Sequence, residues 1–542
     1  MSSISSSYTR LNKAGRTLVE IGLLALSAVL FALSFPNVLN KWGVFPLAFF
    51  CLVPLFIVIH NCGWVKTFIY GLFYGYICYV LFNYWLSTFH ALAIVIVPVI
   101  YAAYFLVLVP LLKLADTLLP RWGFLLQAGL WLSYEYLRTL GFLGYPYGNL
   151  GYSQFLFLPF IQISSVFGFW FVSLMVVIPS TFIGNALKDG FGGFIPFVKK
   201  NKIFLYIYAA VFVAVLVYGF TVTSDFSDSP HIKLGFVQHN ADSWKGGTRQ
   251  FESNKNKLIK LSKKALHEDP DIEMMIWSET CFVPGIDWHS RYRTDPERYR
   301  LVKELTDFFE TQNIPYVIGN DDGRLEPNDE GKLERVDYNS VLLYEKGLKG
   351  TYRKTHLVPF TEHFPYKKAM PKFYQLLKSN DFHWWAKGTE FKVFNAAGIK
   401  FSTPICFEDV FGYINREFVN NGAQIIVNLT NDSWSGSVPA EMQHMAMAVF
   451  RAVENRRTVV RGTNAGITCT IEPDGQITKM IEPFEENYMI SSVPIYDSTT
   501  TLYTRMGDWF PVFCFIISMV TMIGAIVYRI AHKKTKDLTT VN

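Results

Sequence analysis

Three side chains that together can perform nucleophilic acyl chemistry stand at or near the ends of stretches that are typical of strands. Glu279 ends the segment MMIWSE, Lys354 follows a strand-and-turn region, and Cys406 ends the segment IKFSTPIC. A cysteine thiol has a pKa of about 8.5, so at neutral pH it needs a base or a positive charge beside it to become a nucleophile. The pattern therefore predicts a centre in which a carboxylate and an ammonium serve one thiol.

Each of the three groups has one predicted task. Glu279 is the general base, because the apolar residues 275–277 before it favour the burial that raises a carboxyl pKa. Lys354 stabilises the thiolate and the oxyanion of a tetrahedral intermediate, aided by the backbone N–H of Phe407. Taken singly, each residue type is more often a packing or surface residue, so the hypothesis depends on their joint occurrence.

The contexts of these residues resemble the carbon-nitrogen hydrolase (nitrilase) superfamily. Its motifs W-x-E, Y-x-K-x-H-L-x-P-F-x-E and C-[FYW]-E are matched by IWSET, YRKTHLVPFTEHFP and ICFED. The resemblance implies that Glu279, Lys354 and Cys406 are the base, the oxyanion stabiliser and the nucleophile. It also implies an αββα sandwich and active-site roles for Glu362 and Glu408.

Three further positions are expected to support the substrate. Phe407 stands where the superfamily often has tyrosine, so the hydroxyl of that tyrosine is missing here. Trp244 is expected either in a substrate-facing loop or as an ordinary anchoring aromatic. Trp434, in the segment NLTNDSWSG, is expected to line the cleft.

Composition divides the chain into two kinds of sequence. Hydrophobic residues make up 51% and charged residues only 17%, against about 25% charged in an average soluble protein. Residues 225–505 nevertheless read as a charged α/β sequence, in which short β-branched or apolar runs alternate with helical patterns. Apolar runs long enough to cross a bilayer lie outside this block, near 17–35, 43–60, 67–87, 91–112, 122–137, 155–187, 203–222 and 509–528.

Lysine and arginine residues predict the orientation of these eight spans, because short loops rich in them stay in the cytoplasm. With the N-terminus inside, the outside short loops hold only Lys41 and Arg138. The inside segments hold Arg10, Lys13, Arg16, Lys66, Lys113, Arg121, Lys188, Lys199, Lys200, Lys202, Arg529, Lys533, Lys534 and Lys536. We therefore expect a membrane domain of seven helices (1–224), an extracytoplasmic catalytic domain (225–505), and a last transmembrane helix with a cytoplasmic tail (506–542). The sixth span is long enough to be tilted or broken by Pro179.

A nitrilase-like domain between seven upstream spans and one downstream span is similar to the apolipoprotein N-acyltransferase family. The segments ExxR (135–138), YPY (145–147) and GY (151–152) also resemble that family's E-x-x-R…PW…GY pattern, with Tyr147 in place of tryptophan. The resemblance implies transfer of a fatty acyl chain from a glycerophospholipid, through a thioester on Cys406, to the α-amine of a diacylglyceryl-modified apolipoprotein. It implies no metal or organic cofactor and a bacterial inner membrane location with both termini cytoplasmic.

Two rival functions are left open by the sequence. A membrane-anchored nitrilase-type amidase would act on a small soluble amide, although one span would suffice as its anchor. A transporter with a degenerate enzyme-like domain would need charges near the membrane midplane, whereas the charged residues of the predicted spans lie near span ends. Nucleic acid is not an expected partner, because a net charge of +6 is small for 542 residues and the globular block has no Lys/Arg-rich run.

Overall fold

The computed structural model describes residues 12–539 except 90, 224, 329–330 and 379–383. The described chain forms two compact units, and each has its own core. One unit comprises the residues up to Thr223 together with those from Asp508 onward, and the other ends at Gly507. Of the basic residues that predict the orientation, Arg10 lies outside the described residues.

The first unit is built from α-helices in its described part. They are α1 (Lys13–Ser34), α2 (Val53–Asn61), α3 (Trp64–Phe82), α4 (Leu86–Phe89), α5 (Ala93–Leu118), α6 (Gly123–Leu137), α7 (Leu158–Ile161), α8 (Ser164–Phe167), α9 (Phe169–Ala186), α10 (Phe191–Lys200), α11 (Lys202–Val222) and, from the other end of the chain, α19 (Trp509–Thr539). Among the described residues, six of these helices are long and apolar enough to cross a membrane: α1, α3, α5, α9, α11 and α19.

Three predicted spans differ from continuous crossing helices. The run near 43–60 forms a 3-10 helix, Phe45–Phe49, followed by the nine-residue α2. The run near 122–137 forms the 15-residue α6, which covers about 22 Å, less than the roughly 30 Å of a bilayer core. The long run near 155–187 is broken at Gly168, whose φ of 67° separates α8 from α9, because glycine adopts this conformation at little cost. Of the two alternatives for this span, a break at Pro179 is not found, since this proline lies inside the continuous α9.

Helices α3 and α5 pack closely through two glycines on one face of α3. A β-carbon added to Gly71 would lie 2.3 Å from the carbonyl oxygen of Phe105, and one added to Gly75 would lie 2.9 Å from the carbonyl oxygen of Tyr101. Small residues four positions apart allow two membrane helices to approach with their backbones in contact. The pair therefore determines the spacing of α3 and α5.

Replacing Gly71 with leucine should force these helices apart and destabilise the unit by about 1–3 kcal/mol, the usual cost of overpacking. The measurement is the thermal unfolding midpoint of the purified protein in detergent. Gly22→Leu on α1 is the matched control, because a β-carbon added there would have no atom within 4 Å apart from the neighbouring backbone of its own helix. Equal midpoints for the two variants would contradict the assigned role of Gly71.

Two buried ionic residues of α6 and its C-terminal end hold the segment that follows this helix. Arg138 donates hydrogen bonds of 2.8 Å to the carbonyl oxygens of Tyr145 and Tyr147. Glu135 accepts one of 2.9 Å from the backbone N–H of Leu150. Since buried charges need such partners, the ExxR pair is an internal brace for residues 145–150.

The part of the second unit that the structure describes contains two six-stranded sheets. The strands are β1 (His231–Gln238), β2 (Met274–Trp277), β3 (Tyr316–Pro327), β4 (Leu333–Tyr344), β5 (Leu348–Arg353), β6 (Val393–Ala396), β7 (Ile399–Ser402), β8 (Ile425–Thr430), β9 (Thr458–Thr463), β10 (Cys469–Ile471), β11 (Ile477–Met480) and β12 (Asn487–Pro494). The first sheet has the order β12-β1-β2-β3-β4-β5, and the second has the order β11-β10-β9-β8-β7-β6. Strands β1, β2 and β3 are parallel, as are β7, β8 and β9.

Successive residues of a strand point to opposite sides, so each sheet has an inner and an outer face. The two sheets stack through their inner faces. On the inner side, a β-carbon added to Gly462 of β9 would lie 2.8 Å from the side chain of Ile276, so glycine permits the close approach of β9 to β2. On the outer side, β1 and β2 form one hydrophobic cluster with the helices through Val237, Met275, Trp277, Phe251, Leu258, Leu301 and Leu305.

Within the described residues, seven α-helices complete this unit. They are α12 (Gly247–Glu268), α13 (Ile286–Tyr292), α14 (Pro296–Glu310), α15 (Pro371–Lys378), α16 (Gly412–Asn420), α17 (Val438–Asn455) and α18 (Leu502–Met506). Helices α12 and α14 cover the first sheet, and α17 packs against β9 of the second. The unit is therefore an αββα sandwich, with the carboxyl ends of the parallel strands left for a site.

Candidate active site

The three predicted catalytic side chains meet beyond strand ends of both sheets. Glu279 lies two residues after β2, Lys354 directly after β5, and Cys406 four residues after β7. The Lys354 ammonium is 3.7 Å from a carboxylate oxygen of Glu279. The pKa of the Cys406 thiol responds to the charges of both residues. The structure thus brings together residues that are up to 127 positions apart in the chain.

Two hydrogen bonds orient the Glu279 carboxylate. The side-chain amide of Asn339 donates to one oxygen at 2.7 Å, and the backbone N–H of Asn431 donates to the other at 2.7 Å. Burial raises the pKa of Glu279, and the nearby Lys354 opposes this shift only in part. A carboxylate with a raised pKa is a stronger base, which suits it to accept a proton from a thiol.

Lys354 is fully buried between two carboxylates. Its ammonium donates a hydrogen bond of 2.9 Å to Glu362, whose second oxygen accepts one of 2.7 Å from the backbone N–H of Val358. Burial acts to lower the pKa of Lys354, but Glu362, Glu279 and Cys406 together raise it above its ordinary value. The amine is therefore a permanent positive charge beside the thiol.

Cys406 begins a short 3-10 turn, Cys406–Val410, and its side chain is half-buried. Its φ of 49° lies in the left-handed region that non-glycine residues rarely adopt. Such strain persists only where neighbouring contacts enforce it. Burial and the Glu279 carboxylate raise the pKa of the thiol, while Lys354 lowers it. The resting thiol is therefore protonated, and its activation needs a base.

Glu408 ties the turn of Cys406 to the segment of Lys354. It is fully buried, and burial raises its pKa although several hydrogen bonds oppose the shift. Its two oxygens accept hydrogen bonds of 2.7–3.0 Å from the backbone N–H groups of Thr355, His356 and Ile405 and from the hydroxyls of Tyr352 and Thr355. Because Thr355 follows Lys354 and Ile405 precedes Cys406, one carboxylate holds both residues in place.

Replacing Glu408 with glutamine should therefore lower the reactivity of Cys406. An amide cannot accept all of these hydrogen bonds, and the loss of bonds to a charged group costs about 1.5–3 kcal/mol each. We expect alkylation of the Cys406 thiol to slow by up to about 10²-fold, since displacements near 1 Å from a neighbouring base can have this effect. The measurement is the rate at which iodoacetamide alkylates Cys406. Glu345→Gln, at an exposed position between β4 and β5, is the control.

The three predicted supporting aromatics occupy different surroundings. Phe407 is buried, and its ring packs edge-on against Phe411 at 5.0 Å. Trp244 is 40% exposed and lies edge-on to Trp385, with ring centroids 6.1 Å apart. The backbone N–H of Trp385 donates to the carbonyl oxygen of Glu362 at 3.1 Å, which joins this aromatic pair to the site. Trp434 is half-buried, in the loop that also carries Asn431.

The sequence alone did not reveal one important contact of this site. Asn339 donates a hydrogen bond to Glu279, yet it stands in the middle of β4, outside the motifs around Glu279, Lys354 and Cys406. The signal in the sequence that could have identified this residue is its polar side chain directly before the run SVLLY. Within the described residues, no group of three or more His, Cys, Asp or Glu side chains is placed to hold a metal ion.

Comparison with known proteins covers both units. The family model for carbon-nitrogen hydrolases matches residues 233–501, and the model for the apolipoprotein N-acyltransferase N-terminal domain matches residues 27–182. Similar curated proteins include "apolipoprotein N-acyltransferase 1" of Treponema denticola, 41% identical over 94% of this chain and 96% of the relative. The protein of the same name from Treponema pallidum is 41% identical over 93% and 95%. The apolipoprotein N-acyltransferase of Borreliella burgdorferi is 30% identical over 95% and 97%.

These relatives extend through the helical unit as well as the catalytic one, which does not favour an amidase that uses the membrane only as an anchor. Three findings indicate the same family: the sandwich with its buried Glu279–Lys354 pair, the apolar helices, and the near full-length similarity. The chain belongs to the apolipoprotein N-acyltransferase family and is an acyltransferase with a carbon-nitrogen hydrolase domain.

Proposed function

We propose that this enzyme moves a fatty acyl chain from a glycerophospholipid to the α-amine of a diacylglyceryl-modified apolipoprotein, through a thioester on Cys406. The observation that supports this most is the buried arrangement of Glu279, Lys354 and Glu362 beside a half-buried thiol. It supplies a base and a fixed cation without a metal ion.

In the first half-reaction, the Cys406 sulfur attacks the carbonyl carbon of a phospholipid ester while Glu279 takes the thiol proton. The oxyanion that forms is stabilised by the Lys354 ammonium and the backbone N–H of Phe407. Collapse of this intermediate breaks the ester bond, and protonated Glu279 returns the proton to the leaving alkoxide. The products are a thioester on Cys406 and a lysophospholipid.

In the second half-reaction, the α-amine of the apolipoprotein cysteine attacks the thioester carbon. Glu279 takes one amine proton and delivers it to the sulfur that leaves. The products are an amide and the free Cys406 thiol. Glu362 keeps Lys354 oriented through both halves, because its carboxylate is held by the N–H of Val358.

Water competes with the amine for the thioester. Both lipid substrates lie in one membrane leaflet, so their local concentration near the thiol is high, and exclusion of water from the site lowers the rate of hydrolysis. Trp244 and Trp434 are the proposed contacts for the acyl chains or the headgroup. This explanation predicts that lipopeptide acylation is much faster than release of free fatty acid.

The topology we propose has eight crossings, with both termini in the cytoplasm of a bacterial inner membrane. Helix α11 ends at Val222 and α19 begins at Trp509, so in sequence these two ends flank the catalytic unit. The opposite end of α11 is flanked by the basic residues Lys199, Lys200 and Lys202, and Arg529 lies toward the far end of α19. This distribution supports a catalytic unit on the extracytoplasmic side.

The experiment that tests the proposed function is intact-mass analysis of the full-length protein after incubation with a defined phosphatidylethanolamine. We expect a fatty-acyl adduct on residue 406 that hydroxylamine removes and that an added diacylglyceryl lipopeptide consumes. An adduct on another residue, or free fatty acid released as fast as the lipopeptide is acylated, would contradict the proposal.

A further inference from the structure

A buried cluster of five ionisable side chains lies next to the turn of Cys406. Its members are Asp409, Asp432, Glu441, His444 and Arg461, and none is more than 4% exposed. One imidazole nitrogen of His444 is 2.8 Å from Asp409, and the other is 3.4 Å from Asp432. The Arg461 guanidinium pairs with Asp409 and lies 3.5 Å from Asp432. Two cationic side chains thus bridge the same two carboxylates.

One bridged carboxylate belongs to the turn that carries the nucleophile, and the other belongs to the loop that orients the base. Asp409 is part of the 3-10 turn that begins at Cys406. Asp432 directly follows Asn431, whose backbone N–H donates to Glu279. The bridging residues come from elsewhere, since His444 lies on α17 and Arg461 on β9. The cluster therefore connects the turn of the nucleophile with the loop that orients the base.

Opposite charges face each other in this cluster. Burial lowers the pKa of His444, but Asp409 and Asp432 outweigh this effect and raise it to about 9. Burial and the neighbouring Asp432 raise the pKa of Glu441. The imidazole and the Arg461 guanidinium each lie against the two bridged carboxylates. A buried set of this kind is stable only while it is complete, because removal of one member leaves an uncompensated charge.

We propose that His444 and Arg461 are positioning residues for acyl transfer, which hold Asp409 and Asp432 together and so set the position of Cys406 relative to Glu279. The role in acyl transfer rests on the proposed function, whereas the expected effect on the position and reactivity of the Cys406 thiol does not. Both residues act through the carboxylates that they bridge. Their loss shifts the strained turn of Cys406, and a shift near 1 Å costs about 10²-fold in rate.

The test compares His444→Gln and Arg461→Gln with the wild type in the full-length enzyme. His289→Gln is the matched control, because His289 is also a buried histidine of this unit but lies on α13, outside the cluster. Three quantities are measured: the rate of lipopeptide acylation, the rate at which iodoacetamide alkylates Cys406, and the thermal unfolding midpoint. Arg461→Lys tests whether a retained positive charge restores part of the lost rate.

We expect His444→Gln and Arg461→Gln to lower kcat on the order of 10²-fold with little change in KM, to slow alkylation of Cys406, and to be partly rescued in Arg461→Lys. His289→Gln should transfer and be alkylated at the wild-type rate. Wild-type kcat and alkylation in the folded fraction of both cluster variants would overturn the inference, even if their unfolding midpoints fall. If the wild type itself forms no acyl adduct, the proposed function fails, and the alkylation rates still decide the positioning role.

Discussion

Replacement of Cys406 with serine should reduce lipopeptide acylation on the order of 10⁴-fold or more, the scale at which loss of a nucleophile acts in comparable enzymes. Serine occupies nearly the same space as cysteine, so the turn that carries residue 406 should keep its shape. The hydroxyl, however, has a far higher pKa than a thiol, and Glu279 is too weak a base to deprotonate it. The measurement is the acylation rate together with intact mass after incubation with phospholipid.

A second cysteine provides the control for this experiment. Cys514 lies on α19 and is partly buried, as Cys406 is, but it belongs to the other unit. We expect Cys514→Ser to form the adduct and to transfer it at the wild-type rate. Retention of a hydroxylamine-sensitive acyl adduct in Cys406→Ser would show that another residue is the nucleophile.

Replacement of Lys354 with methionine should abolish transfer and also destabilise the catalytic unit. The buried ammonium compensates the carboxylates of Glu279 and Glu362, which lie 3.7 Å and 2.9 Å from it. Methionine is similar in length and fits the space without supplying charge. Removal of one partner from a buried ion pair costs about 3–5 kcal/mol, so we expect a large fall in the thermal unfolding midpoint.

The pH dependence of the stability lost in Lys354→Met distinguishes an electrostatic cause from a packing defect. Burial already raises the pKa of Glu279 and Lys354 opposes that shift, so the pKa should rise further in the variant. A group whose pKa is higher in the folded state favours folding as the pH falls. The unfolding midpoint of Lys354→Met should therefore approach that of the wild type as the pH is lowered from neutral. Lys349→Met, at an exposed position of β5, the strand that precedes Lys354, is the control. A loss of stability that is independent of pH would indicate a packing defect instead.

Local sequence patterns predicted most elements of the catalytic unit. The alternation of short apolar runs with helical patterns in residues 225–505 predicted alternating strands and helices, and the structure has them, among them β1 (His231–Gln238), β8 (Ile425–Thr430) and α12 (Gly247–Glu268). Their periodicity reflects burial on one or two faces, which is a local property of the chain. The pairing of β12 with β1 was not predictable in this way, because these strands are separated by more than two hundred residues.

The helical unit shows the same limit. Hydropathy located every apolar run, but it could not distinguish a continuous crossing helix from the broken segment around Gly168 or from the short α6. A run of apolar residues is stable both in lipid and in a protein core, so hydropathy does not distinguish these two environments. The backbone conformation of one glycine and the contacts of neighbouring helices decided the difference.

By itself, the sequence determined the two kinds of environment in the chain, the order of the strands and helices along it, and the motifs around Glu279, Lys354 and Cys406, because hydropathy, periodicity and short motifs are encoded by neighbouring residues. Only the tertiary structure decided how Glu408 joins two of these segments, and how His444 and Arg461 join Asp409 to Asp432. These contacts join side chains that are distant in sequence. Their contribution to the free energy of folding depends on burial, which exists only once the two sheets have packed.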